Sequence, residues 1–379
     1  VKVLLVTGQL AQDIVKGYAK ESHVETQTLA VKIAVAAFLT PQTIVEQLKN
    51  TKLTGFNMIL TPGLVRGDTS LVSQATGIPT FKGPRYAADL PTVLDSLCEI
   101  QLSTTVPADD LLREKLQQQA LQEIEKTEKN RAELLKKPGS MLIGGLAVGK
   151  DFPMRVLAEI VDAALMDKET IQQTAKRFAA AGADIIDVGM VAGESQPQKA
   201  KRIVEWVKQV VDVPVSIDTL DVAEIKAAVQ AGADLVLSGD AGNIEQIAPF
   251  TSKVAVVVIP TNQSQGYFPK KAQDRVKYLE KTIATAKKLG VTHCLADLIL
   301  EPTNILESFI AFKKFATRNP DVPLFVGVSN VTELMDADSV GVNALLARLS
   351  SEVDASILLA TEKSTKAKGT VAEEVAAAK

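Results

Sequence analysis

Acids recur in this sequence where short apolar runs stop. PVSIDTL (214–220) delivers Asp218 and Thr219, CLADLIL (294–300) carries Asp297, and DIIDVG (184–189) carries Asp187. A bounded apolar run of this length, rich in Val, Ile and Leu, suits a strand buried on both faces. Each acid is therefore expected at or near a strand end. Other polar residues follow comparable runs: Lys150 and Asp151 after MLIGGLAV, Glu194 and Ser195 after DIIDVG, and Ser238, Asp240 and Asn243 in and after DLVLSG. Thr261, Asn262 and Gln263 follow VAVVVIP, and Ser329 and Asn330 close PLFVGVSN. Carboxylates and amides outnumber cations in this set. A ligand recognised only through phosphate would require more Arg or Lys. A flat heterocycle with N–H and NH2 donors suits Asp and Asn acceptors, because a buried donor left unpaired costs about 1–3 kcal/mol. The competing role for such acids is helix capping, for which Asp167 and Asp221 are better placed than Asp218.

The elements that must position these residues can be counted. MLIGGLAV, DIIDVG, PVSID, DLVLSG, VAVVVIP, CLADLIL, PLFVGVS and ASILLAT are eight strand candidates separated mostly by helical stretches. The phrase AAAGADIIDVG returns as VQAGADLVLSG, each Gly being suited to end a helix before a buried strand. Eight such units over about 250 residues indicate a (β/α)8 TIM barrel, with the chemistry at the C-terminal strand ends. An open doubly wound sheet is the alternative. The barrel is expected over 139–363. Residues 1–105 read as a small parallel α/β, Rossmann-like domain with strands in VKVLLVTG, TQTLAVKIA, FNMILTPGL and IPTFKGP. In it, Thr40 and Pro41 suit a helix start. Residues 106–138 read as a long linking helix with Leu111, Leu112, Leu116, Leu121 and Ile124 at mostly helical spacing. An Ala- and Lys-rich stretch, 364–379, is expected to be a flexible tail.

Composition narrows the function classes. The 379 residues are 46% hydrophobic and 23% charged, with a net charge of −3. No global basic field recruits nucleic acid, and no apolar run approaches the roughly 20 residues that span a bilayer. Cys98, Cys294, His23 and His293 are the only cysteines and histidines, too few and too scattered for a structural zinc site. No metal ligand set is read from the chain. Few thiols and a first segment that lacks the pattern of an export signal point to the cytoplasm. Gly63, Arg66, Asp68, Lys82 and Arg85 could gather on one edge of the N-terminal domain, as a small anion site or as a seat for that domain against the barrel.

GADIIDVGMVAGES, PVSIDT followed by AGADLV, and FVGVSN resemble the dihydropteroate synthase superfamily, the pterin-binding barrel shared with corrinoid-linked methyltransferases. The match covers roughly 141–362. The whole chain resembles more closely the dihydropteroate synthase-related proteins of archaea and of bacteria that use tetrahydromethanopterin. LLVTGQLA, LTPGLVRGD and FKGPRYAADLP are the corresponding phrases of the N-terminal domain. The resemblance implies that Asp218 and Asp297 hydrogen-bond a reduced pterin and that Asn330 sits near a ring nitrogen. From their places at the strand ends, Asp187, Glu194, Thr219, Ser238, Asp240, Asn243 and Asn262 are candidates for substrate binding. Barrels of this superfamily commonly form homodimers. The chain also departs from the synthases. Leu237-Ser238 replace an Asn-Asp pair, Ser-Asn-Val replaces Ser-Arg-Lys after strand seven, and AVGKDFP replaces the first-strand motif.

Three functions follow from the resemblance. One is condensation of hydroxymethyl-dihydropterin diphosphate with an arylamine, for example ribofuranosylaminobenzene phosphate, in tetrahydromethanopterin biosynthesis. There Lys150 would offset diphosphate charge, and Mg2+ would be held mainly by the diphosphate. The second is methyl transfer from a methyl-pterin to a corrinoid protein. The third is a non-catalytic pterin carrier.

Overall fold

The computed structural model describes residues 1–49 and 51–379, apart from the side chains of Glu114, Leu116 and Gln117; the apolar position expected at Leu116 lies outside the described residues. Contacts divide the chain into two compact units, Val1–Glu123 and Ile124–Lys379.

The first unit is built on four parallel strands, β1 (Lys2–Thr7), β2 (Glu25–Ala30), β3 (Met58–Thr61) and β4 (Thr80–Lys82), in the order β2-β1-β3-β4. The run KVLLVT forms the inner strand because both of its faces are covered. Val3 and Leu5 pack into one apolar cluster, Leu4 and Val6 into another. Thr40 caps the helix Pro41–Leu48 by accepting from the Thr43 amide at 3.2 Å, with Pro41 in the first turn. Arg85 is neutralised by Asp109 at 2.6 Å and Asp110 at 2.5 Å.

The stretch expected as one linking helix is three helices: Ala108–Leu111, Arg113–Lys129 and Arg131–Leu134. The backbone leaves the helical region at Leu112 and again at Asn130. Leu112 is buried, whereas Leu111 and Leu121 are exposed.

The second unit contains a closed barrel of eight parallel strands. They are β7 (Arg155–Ile160), β8 (Ile185–Gly189), β9 (Val215–Asp218), β10 (Leu235–Gly239), β11 (Ala255–Val258), β12 (Cys294–Ala296), β13 (Leu324–Val326) and β14 (Ala355–Thr361). Each strand lies beside its neighbour in sequence, and β14 closes onto β7. Alternation along each strand supplies two cores. On β7, Val156, Ala158 and Ile160 join the large cluster against the helices, while Leu157 joins Ile185, Leu235, Val257, Leu295 and Phe325 in a second, separate cluster.

The first barrel strand is not the one the apolar runs suggested. MLIGGLAV forms an antiparallel hairpin, β5 (Met141–Ile143) and β6 (Leu146–Val148), around Gly144-Gly145. Both glycines have positive φ, 52° and 91°, as a tight two-residue hairpin turn requires. Met141, Ile143 and Val148 pack onto Leu157, Ile185, Leu235 and their cluster. Gly144 lies against Asp234, just before β10, so the hairpin covers the N-terminal end of the barrel. The true first strand, RVLAEI, carries a charge near each end. Arg155 is buried, donates to the Ala147 carbonyl at 3.1 Å and pairs with Glu128 at 2.5 Å.

Residues expected as a flexible tail include the helix Thr370–Ala378, with Thr370, Val371 and Glu374 buried. Val371 belongs to the core between barrel and helices, which gives the segment an apolar anchor.

Candidate functional site

A cavity of about 650 Å3 opens at the C-terminal ends of the barrel strands. It gathers Asp218, Thr219, Glu194, Ser238, Asp297 and Asn330 from segments that lie far apart in sequence. No Lys or Arg is among its described lining residues.

Asp218 ends β9 and accepts no hydrogen bond from the described residues through its side chain. Burial pushes its carboxyl up to about 7. Asp297 follows β12 and accepts from the Ile299 amide at 2.7 Å through Oδ1. Its carboxyl is likewise raised to about 7, mainly by burial and against the pull of that amide. Two acids of raised affinity for protons thus face one cavity, the placement expected for Asp218 and Asp297. Asn330 sits in the short helix Ser329–Thr332, and its Nδ2 donates to the Leu300 carbonyl at 3.4 Å. A Cβ on Gly327 would lie 2.9 Å from that Nδ2, so glycine leaves the amide its place.

Thr219 lines the cavity but is held from behind. Its hydroxyl donates to Glu224 at 2.5 Å, and the other Glu224 oxygen accepts from the Gln196 amide at 2.7 Å. Glu224 therefore ties the end of β9 to the loop bearing Glu194, whose carboxylate accepts from the Gln196 side chain. The sequence reading did not single out Glu224.

Three expected residues serve the loops instead. Both oxygens of Asp240 are occupied: they accept from the Gly242, Asn243 and Gln263 amides at 2.7, 3.2 and 2.7 Å and from the Thr261 hydroxyl at 2.9 Å. Asn243 accepts from the Asp240 amide and donates to the Leu220 and Ser238 carbonyls. Asn262 accepts from Ser264 and from the Gln265 amide, closing the turn Gln263–Gln265. None of the three lines the main cavity. Asp167 and Asp221 do cap helices, each accepting an amide at 2.8 Å.

Lys150 is displaced outright. It lies beside Gly139, Asn319, Pro323 and Asp354, next to the starts of β13 and β14. It follows the hairpin, not a barrel strand, and so sits at the end of the barrel away from the cavity.

The residue missed in its place is Glu159, on the true first strand. Glu159 stands in register with Asp187 on β8, and Asp187 with Ser216 on β9. Oxygens of Glu159, Asp187 and Asp218 lie within 4.8 Å of one another. Asp187 is fully buried; its Oδ1 accepts from the Ser216 hydroxyl and its Oδ2 has no partner. Burial, then the Asp218 and Glu159 charges, push the Asp187 carboxyl well up. Burial, then Asp218, push Glu159 up to about 8. Its signal was an acid at strand spacing in RVLAEI, masked by the greater hydrophobicity of MLIGGLAV.

A model of the family described as pterin binding enzyme matches residues 159–361, and a family of unknown function matches 1–85. An uncharacterised protein of Methanocaldococcus jannaschii is 40% identical over 386 residues, spanning 98% of this chain and 72% of that protein. Among solved structures, the dihydropteroate synthase of Xanthomonas albilineans in complex with 7,8-dihydropteroate is similar with a TM-score of 0.50 at 20% identity. That likeness covers 63% of this chain and 96% of the other. The dihydropteroate synthase of Stenotrophomonas maltophilia with imidazole bound in its active site gives 0.51 at 20%, over 64% and 96%. At such identities the structural likeness concerns the fold. The family match itself runs from Glu159 on the first barrel strand to Thr361, the last residue of the eighth. The chain belongs to the pterin-binding enzyme family, as a dihydropteroate synthase-related (β/α)8 barrel with a small parallel α/β unit of its own.

Proposed function

We propose that this chain is a pterin transferase acting on hydroxymethyl-dihydropterin diphosphate. An arylamine nitrogen would attack the methylene carbon, the carbon–oxygen bond to diphosphate would break, and pyrophosphate and a proton would leave. The observation that carries this reading is the pair Asp218, half-buried, and Asp297, buried, which face one cavity of about 650 Å3. They can accept from the amino and ring N–H groups of a pterin, with charge-assisted bonds once ionised. Thr219, Ser238 and Glu194 complete the polar lining, and Asn330 stands at the mouth. Asp187 acts from behind Asp218 and does not line the cavity.

The departures after strands four and seven favour an arylamine other than p-aminobenzoate, and the ribofuranosylaminobenzene phosphate of tetrahydromethanopterin biosynthesis fits them. With Lys150 elsewhere, no cationic side chain of the cavity offsets the diphosphate. Mg2+ arriving with the diphosphate oxygens would supply that charge.

A second reading rests on the same absence of Lys and Arg. Methyl transfer from a methyl-pterin to a corrinoid protein needs the pterin site and Asn330 but no diphosphate site. Mass-spectrometric turnover separates the two. The protein would be given hydroxymethyl-dihydropterin diphosphate, Mg2+ and either p-aminobenzoate or its ribofuranosyl phosphate derivative, with pyrophosphate followed in parallel. Product with the ribosylated amine is the expected result. Pterin binding without product from either amine would reject condensation in favour of methyl transfer or a carrier role.

A further inference from the structure

We propose that Glu159, Asp187 and Asp218 form a site for one divalent cation, held by the protein itself on the barrel wall beside the pterin cavity. Three adjacent strands build it. Glu159 of β7 stands opposite Asp187 of β8, and Asp218 ends β9 opposite Gly189. One oxygen from each acid falls within 4.8 Å of the others. Oxygens around a hard cation at about 2.1–2.6 Å from each ligand reach comparable separations.

The second observation is the unpaired oxygen. Asp187 is entirely buried, Ser216 satisfies Oδ1, and Oδ2 has no partner. Buried polar atoms are nearly always paired, and a cation shared with the two neighbouring acids would pair this oxygen. Among the described residues no side chain pairs with it. Lys363, which acts on Glu159 through its charge, pairs with Asp162 at 2.8 Å. Arg275 acts on Asp297 and is held by Glu301 and by the Leu298 and Ile299 carbonyls.

Gly189 completes the cradle. An ideal Cβ there would lie 2.2 Å from Glu159 Oε1, so any other residue would drive that carboxylate from its position. An all-oxygen donor set of three carboxylates, with no His or Cys among them, selects a hard ion such as Mg2+, Mn2+ or Ca2+ over a soft one. The remaining coordination positions would be filled by water. Asp218 belongs to both the cluster and the cavity lining, so the cation would lie within one side chain of a bound ligand.

This inference stands on the ligand-free protein and does not depend on the pterin reading. The test uses the full chain, stripped with chelator and titrated with Mn2+ under electron paramagnetic resonance, where binding removes the free-ion signal. One Mn2+ per chain is expected, displaced by Mg2+ or Ca2+. Glu159→Gln should weaken binding at least tenfold, and Asp187→Asn should do the same. Asp13→Asn, at an exposed acid of the other unit, should leave binding unchanged. Thermal melting of each variant checks the fold. Glu159→Gln relieves repulsion between acids, so it is expected to melt no lower than the stripped wild type and to lose the rise in Tm that Mn2+ gives the wild type. Absence of stoichiometric binding, or binding that Glu159→Gln leaves intact, would overturn the site. In that case the three acids share protons only. Pterin affinity measured on the same stripped protein reports separately on the cavity.

Discussion

Glu159 and Asp187 stand side by side on neighbouring strands of the barrel, in register, with Asp218 completing a triangle of acids. A strand-end acid can cap a loop, face a cavity or repel its neighbours, and this chain contains each case. Asp240 is consumed by four loop donors, Asp297 and Asp218 face the cavity, and Asp187 keeps one oxygen without a partner.

Asp218→Asn should weaken binding of a reduced pterin by about 1–3 kcal/mol, roughly 5- to 150-fold, because an anionic acceptor becomes a neutral amide that also presents donors. Fluorescence titration of the purified variant against wild type reads this directly. Unchanged affinity would remove Asp218 from the pterin site.

Stability should depend on pH with a definite sign. Glu159 is raised from 4.5 to about 8, and Asp218 and Asp297 from 3.8 to about 7. The folded protein therefore holds protons that the unfolded chain has already lost. The stability these groups contribute is complete below about pH 4 and falls away as pH rises through 7 to 8. In chelator, Tm should decline across that window, and Glu159→Gln should flatten the decline. A Tm that rises from pH 5 to 8 equally in both proteins would contradict the burial of these acids.

Gly189→Ala should destabilise the barrel by about 1–3 kcal/mol, since the added methyl group meets Glu159 Oε1 in a packed interior. Gly17→Ala is the matched control. It lies inside the helix Gln12–Ala19 with open space around the new methyl, and should stabilise by about 0.5–1 kcal/mol. Chemical denaturation of the pair distinguishes a steric clash from a general intolerance of substitution at glycine.

Lys150→Ala should leave pterin affinity within about 0.5 kcal/mol of wild type, because the side chain lies at the opposite end of the barrel from the cavity. A large loss measured by the same titration would show that Lys150 reaches the ligand after all.

Much of this was legible in the residues. Asp218 and Asp297 stand beside apolar runs whose burial the alternation of the barrel demands, and the repeated helix–Gly–strand phrase marks the units between. What hydrophobicity could not reveal was pairing. MLIGGLAV is as apolar as a barrel strand, but its two central glycines turn it back on itself. RVLAEI hides its role because Arg155 and Glu159 look exposed until their partners are known. The loop bonds of Asp240, Asn243 and Asn262 were hidden for a related reason. Whether a polar side chain is free depends on which backbone amides its loop leaves unsatisfied, and that is decided by the folded turn. The helix Thr370–Ala378 was obscured by composition, since an Ala-rich segment binds through a few contacts such as that of Val371.

The hairpin Met141–Val148 has a consequence for traffic. It stoppers the barrel at one end with Met141, Ile143 and Val148, leaving the acidic compartment its doorway at the other. In a two-substrate reaction both ligands would then come and go at the C-terminal strand ends. A pterin seated deep against Asp218 and Asp297 would be the first guest in, with the amine or the methyl acceptor closing the doorway behind it.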